Sequence, residues 1–178
     1  MSRILSTVLL GLSLSNGRAQ DLALATSGDK ALEETYTKGE QAYQRGAYEE
    51  AIALFSDVLK QDPEHMNAYL QRGFCQSLTK QYEKAIADFS AVIARKPDHL
   101  WAYTSRGSAY TKLQRYDKAI MDFDLVIGLD PKNEEAFNNR GWARKASGDA
   151  PGACKDWRTS QRMGNAEARI ILTNNRCK

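Results

Sequence analysis

This chain is poor in the residues that usually announce chemistry. It has two histidines among 178 residues, His65 and His99. It has no Gly-rich phosphate loop, no G-x-S-x-G elbow and no H-E-x-x-H pair. A Cys-His nucleophile would need Cys75 beside a histidine, and the spacing does not favour that. No catalytic residue and no cofactor is therefore expected. Charge is balanced as well, with 25 basic against 22 acidic residues and a formal net charge of +3. No Lys/Arg cluster with interleaved aromatics marks a nucleic-acid track, and a nearly neutral surface gives no steer toward polyanions. Long apolar runs are missing too: Ile4 to Leu14 spans eleven residues, against about 20 for a bilayer-spanning helix.

What the chain does have is an internal period. Ala51, Ala85, Ala119 and Ala153 lie 34 residues apart, as do Phe55, Phe89, Phe123 and Trp157. Gly39, Gly73, Gly107 and Gly141 follow the same spacing, and Pro63, Pro97 and Pro131 close the first three units. A fixed period of this length means stacked helical hairpins. The units run 32–65, 66–99, 100–133 and 134–167. In each, the second helix starts near a tyrosine (Tyr48, Tyr82, Tyr116) and carries a one-sided apolar stripe, such as Ala85, Phe89, Val92 and Ile93. Prolines end the second helices because the residue before proline leaves the α region. Glycine inside a helix costs about 1 kcal/mol, so four in register imply a close approach, here expected from the partner helix's backbone. His65 and His99 fall in equivalent turns, about 8–10 Å apart at helix-packing distance, so no shared metal is expected.

A charge pattern recurs with the repeat. Arg72, Arg106 and Arg140 precede the glycines, and Asp88, Asp122 and Asp156 follow sixteen residues later. The spacing predicts a guanidinium opposite a carboxylate within each hairpin, fixing its register. The first unit holds Lys38 and Leu54 there and lacks the pair.

The pattern resembles the tetratricopeptide repeat (TPR) family. Its small residue and aromatic on the first helix appear as Gly73 with Tyr69 and Gly107 with Tyr103. Its Ala-x-x-x-Phe and closing Pro appear as Ala85, Phe89, Pro97 and Ala119, Phe123, Pro131. The resemblance implies an all-α, right-handed α-solenoid of helix-turn-helix repeats, with a capping helix over 165–178. It also implies a concave face lined by the first helices. On this chain that face holds Tyr36, Glu40 and Tyr43; Asn67, Leu70, Phe74 and Ser77; Trp101, Thr104, Ser108 and Thr111; Glu135, Asn138, Trp142 and Lys145. Aromatics with small hydroxyl residues between them suit a peptide or a partner helix. The expected groove is Tyr36, Tyr43, Leu70, Phe74, Trp101, Thr104, Ser108, Asn138 and Trp142. TPR domains that grip a chaperone's C-terminal carboxylate use Lys and Asn in the first unit and Lys and Arg in the third, where this chain has Tyr36, Glu40, Trp101 and Ser105, so that ligand class is not expected.

The N-terminus reads as a secretory signal over 1–19: Arg3, the apolar run, then Gly17-Arg18-Ala19 as a small-x-small cleavage site, with Ala23-Leu24-Ala25 as a second candidate. A tail over 20–31 follows. Removing 1–19 takes away Arg3 and Arg18 and leaves 23 basic against 22 acidic residues, or +1, with no stable membrane span. Near the other end, Met163-Gly164-Asn165 reads as a turn before an amphipathic helix over 166–176 capped by Asn165. Antiparallel packing would bring Cys154 and Cys177 close enough for a disulfide, which requires an oxidising compartment. The pair also resembles C-terminal caps of exported bacterial TPR proteins. The expected protein is a periplasmic or secreted, non-catalytic scaffold for a protein or peptide partner, binding neither metal nor nucleic acid. The alternatives are a self-assembling structural subunit, by the convex face or the open ends, and a cytosolic adaptor with an uncleaved tail.

Overall fold

The computed structural model describes residues 28–177. The signal-peptide reading and residues 20–27 of the expected tail lie outside them. Among the described residues every regular element is a helix: α1 (residues 28–44), α2 (Tyr48–Gln61), α3 (Met66–Leu78), α4 (Tyr82–Arg95), α5 (Leu100–Lys112), α6 (Tyr116–Leu129), α7 (Glu134–Ala146), α8 (Ala150–Arg162) and α9 (Ala166–Asn174). Residues 28–31, expected in the tail, belong to α1. Consecutive helices pack pairwise, α9 closes on α8, and the first helices of neighbouring hairpins also touch, α3 on α5 and α5 on α7. One side of the stack is thereby built from first helices.

Local signals recur with the period. His65, His99 and Asn133 are N-caps of α3, α5 and α7, each accepting from the backbone N–H three residues on: His65 Nδ1 from Ala68 at 3.1 Å, His99 Nδ1 from Ala102 at 3.2 Å, Asn133 Oδ1 from Ala136 at 2.9 Å. The histidines thus satisfy donors that a helix start leaves unpaired. Asp62, Lys96 and Asp130, each before a proline, have φ of −125°, −136° and −133°, outside the helical range as steric clash with the proline ring demands. The turn inside each hairpin needs one left-handed residue, and Gly46, Lys80, Gln114 and Gly148 supply it.

The core repeats too. Phe55, Phe89, Phe123 and Trp157 are fully or almost fully buried beneath the in-register glycines. Burying each phenylalanine stabilises the fold by about 1.5–3 kcal/mol. A Cβ on Gly39, Gly73 or Gly107 would lie 2.7–2.9 Å from the phenylalanine ring sixteen residues later. The close approach is therefore to an aromatic ring and not to helix backbone, because the ring fills the space between the two helices of its hairpin. In the fourth hairpin Trp157 needs a partner for its N–H and donates to the Asn138 main-chain carbonyl at 3.2 Å.

The expected ion pairs are present in all three hairpins. Arg72 grips Asp88, Arg106 grips Asp122 and Arg140 grips Asp156, each through two hydrogen bonds of 2.6–2.9 Å. Each arginine has a further arm. Its Nη1 donates to the preceding hairpin's second helix, reaching Ser56 at 3.0 Å, Ser90 at 3.0 Å and Asp124 at 2.5 Å respectively. The bond to Asp88 or Asp122 is the main reason the Arg72 and Arg106 guanidinium pKa values rise. These arginines are committed to structure.

At the C-terminal end, Asn165 Oδ1 accepts from Glu167 and Ala168 at the start of α9. Cys154 on α8 is joined to Cys177 by a disulfide with a Cα–Cα distance of 5.5 Å. Lys145 of α7 hydrogen-bonds Asn175. The cap is held by both links.

Candidate functional site

A groove of about 330 Å³ lies where α3, α5 and the start of α7 meet. Phe74 and Leu78 of α3 line it with Trp101, Thr104, Ser105, Ser108 and Lys112 of α5, and Tyr82 and Glu135 complete the lining. Phe74 is fixed by an edge-to-face contact with Phe89 at 5.5 Å. Trp101 is 67% exposed and Leu78 52%, so two large apolar side chains stand at the groove with half or more of their surface open to solvent. Hydroxyls of Ser77, Thr104, Ser105 and Ser108 supply polar contacts between them. One lysine and one glutamate are the only charges in the lining. Such a site suits an apolar anchor on a segment that also hydrogen-bonds; it is not a charge trap.

Four of the expected groove residues (Phe74, Trp101, Thr104 and Ser108) come together here. The others do not. Tyr36 is only 9% exposed: its ring lies 4.8 Å from His65 and 5.5 Å from Phe55. Burial, reinforced by the neighbouring Glu40 carboxylate, pushes its hydroxyl up to about 12. Asn138 is buried as well. These two share one helical position, in the first and fourth units, and in both that position is filled by packing. Leu70 is half-buried beside the groove without lining it. Tyr43 packs against Tyr48 at 5.9 Å. Trp142 is exposed further along the same side, edge-on to Trp157 at 5.1 Å, with the Lys145 ammonium 5.4 Å from its ring.

Sequence reasoning did not assign Leu78, Tyr82, Ala109 or Lys112 to the groove, and named Ser105 only as a position where a carboxylate clamp is missing. Leu78 had a signal: Leu70, Phe74 and Leu78 continue at i, i+4, i+8 along one face of α3. Cys75 is buried and unpaired, and burial pushes its thiol up to about 11; it is an inert core residue. Among the described residues no group of three His, Cys, Asp or Glu side chains is placed to hold a metal ion. Nor is any described helix long and apolar enough to cross a membrane.

Stacked hairpins with one face of first helices and a groove between them define an α-solenoid interaction module. Tetratricopeptide repeat profiles match residues 42–103 and 100–133, more than half of the chain, and the chain belongs to the tetratricopeptide repeat family. Among solved structures it is similar to MamA (41 to end) from Desulfovibrio magneticus RS-1, at 24% identity and a TM-score of 0.71, over 85% of this chain and 93% of that one. It is also similar to the first TPR domain of Spaghetti (RPAP3) bound to the HSP90 peptide SRMEEVD, at 28% identity and a TM-score of 0.60, over 66% of this chain and 90% of that one. The Arabidopsis OM64 TPR domain matches at 25% identity and a TM-score of 0.62, over 65% and 96% of the two chains. No curated protein matches the chain.

Proposed function

We propose that the protein is a non-catalytic scaffold whose α3–α5 groove captures a segment of a protein partner carrying an apolar anchor. The observation that carries this reading is Trp101, exposed opposite Leu78 and the fixed ring of Phe74. A rigid aromatic presented by packed helices buys affinity at little entropic cost. The peptide held by the RPAP3 domain is rich in acidic residues. This groove offers a single lysine, Lys112, balanced by Glu135, so its partner differs in kind: the contacting segment is uncharged and apolar at its centre. The site of action we place in the cell envelope or outside the cell. The signal-like N-terminus and the Cys154–Cys177 disulfide support this, since such a bond persists in oxidising compartments.

A photo-crosslinking residue placed at Ser108 tests the groove in living cells. One polypeptide should be captured from the envelope fraction, and Trp101→Ala should remove it without changing the thermal transition. Capture that survives Trp101→Ala overturns the groove. The mass of the isolated chain tests the compartment: cleavage near Ala19 with Cys154 and Cys177 joined is expected, and an uncleaved, reduced chain defeats that part of the reading.

A further inference from the structure

The two charges in the groove lining are neither paired nor periodic. Lys112 and Glu135 are exposed, and among the described residues neither side chain makes a hydrogen bond or an ion pair. The repeat does not call for them: one period away Lys112 becomes Leu78 or Ala146, and Glu135 becomes Trp101. They also stand apart. One reversing turn joins each helix to the next, so α3, α5 and α7 run the same way. Lys112 is the last residue of α5, whereas Trp101 and Glu135 lie in the first turns of α5 and α7. At 1.5 Å per residue, α5 carries Lys112 about 16 Å from the Trp101 end.

The hydroxyls between these ends are unmatched as well. Those of Ser56, Thr111, Thr159 and Thr173 donate to main-chain carbonyls of their own helices. Ser77, Thr104, Ser105 and Ser108 line the groove, and among the described residues their hydroxyls make no hydrogen bond. A helical occupant pairs its main-chain N–H and C=O groups internally and would offer these hydroxyls none of its main chain. An extended segment brings both groups to the groove, and at about 3.3 Å per residue it covers that span in about five residues.

Taking the groove as the binding site, we infer that it reads a charge order. Its occupant is an extended segment with an apolar centre, an acidic side chain toward Lys112 and a basic one toward Glu135, about five residues apart. Trp101 and Leu78 take the apolar part, and the hydroxyls take the main chain. The two charges fix which way the segment lies, since reversing it sets like against like. A segment with charges of one sign meets repulsion at one end.

Selection from a display library of random heptapeptides on the purified chain tests this. The wild type should enrich segments with an apolar centre, an acid on one flank and a base on the other, in a single order. Lys112→Glu combined with Glu135→Lys should enrich the opposite order, and because both positions are exposed the thermal transition should not move. A labelled peptide from the wild-type selection should bind the exchanged chain about tenfold more weakly. Swapping the acid and base of that peptide should restore its binding there, and N-methylating its central amides should weaken binding to the wild type. Apolar segments without a charge order, or one order from both chains, overturn the inference; the groove itself stands if Trp101→Ala abolishes the enrichment. Enrichment that persists in Trp101→Ala defeats the groove reading and this one with it.

Discussion

The Arg106 guanidinium holds the Asp122 carboxylate through Nε to Oδ2 at 2.9 Å and Nη2 to Oδ1 at 2.7 Å. The Asp122 side chain is 4% exposed and that of Arg106 19%, so the carboxylate depends on this one partner. Arg106→Met should destabilise the fold by about 3 kcal/mol, because it strands a buried charge. A double change, Arg106→Met with Asp122→Leu, should cost less than Arg106→Met alone. Urea unfolding of the three variants measures this; a double mutant worse than the single one contradicts it.

Gly107 meets the ring of Phe123 in the same hairpin. The added methyl of Gly107→Ala would lie 2.9 Å from that ring, and overpacking of this kind costs about 1–3 kcal/mol. Phe123→Leu alone opens a cavity. The two changes together should cost less than their sum by at least about 0.5 kcal/mol. Strict additivity in denaturant titrations would mean that ring and glycine are not the coupled pair.

Gln114 is held at φ 58° in the turn between α5 and α6, where Gly46 and Gly148 occupy the equivalent positions. The left-handed conformation costs a side-chain-bearing residue about 1–2 kcal/mol, partly offset by the greater unfolded-state freedom of glycine. Gln114→Gly should raise the melting temperature by about 2–4 °C. Gly148→Ala should lower it. Calorimetry decides, and a fall for Gln114→Gly or a rise for Gly148→Ala would refute the turn account.

Alkaline stability follows from two buried groups. Cys75 and Tyr36 have native pKa values pushed up to about 11 and about 12, chiefly by burial. Ordinary values near 9 and 10 apply once the chain unfolds. The unfolded state therefore loses these protons first, and stability present below pH 9 falls as pH rises through 12. Tyr36→Phe should remove the upper part of that decline and Cys75→Ala the lower part. Melting temperatures measured from pH 8 to 12 test it, and a flat profile in the wild type is the contrary result.

Much of the fold was legible because a strict period exposes what every hairpin needs. The glycine register, the proline after the second helix and the arginine opposite its aspartate all announced themselves by recurring, but that a ring and not helix backbone lies against each glycine did not. The groove was harder to read. Tyr36 and Asn138 sit at positions that repeat in the sequence, but the residue packed against each changes from unit to unit. His65 covers Tyr36, while the corresponding α5 position leaves Thr104 lining the groove. The bonds from the arginines to Ser56, Ser90 and Asp124 were likewise hidden. They cross from one unit to the previous one, and pairing within a unit already accounted for the charge.

Those crossing bonds turn four hairpins into a graded series of couplings. A solenoid melts as a one-dimensional chain whose cooperativity is set by the links between neighbours. Here the link is a neutral hydroxyl at Ser56 and Ser90, and a carboxylate at Asp124. The first hairpin has no internal clamp, whereas the last is fastened by a disulfide. Opening should thus run in one direction, from α1 toward α9, with amide protection rising along the chain. The hairpin without a clamp should fray first, and the end fastened by the disulfide last.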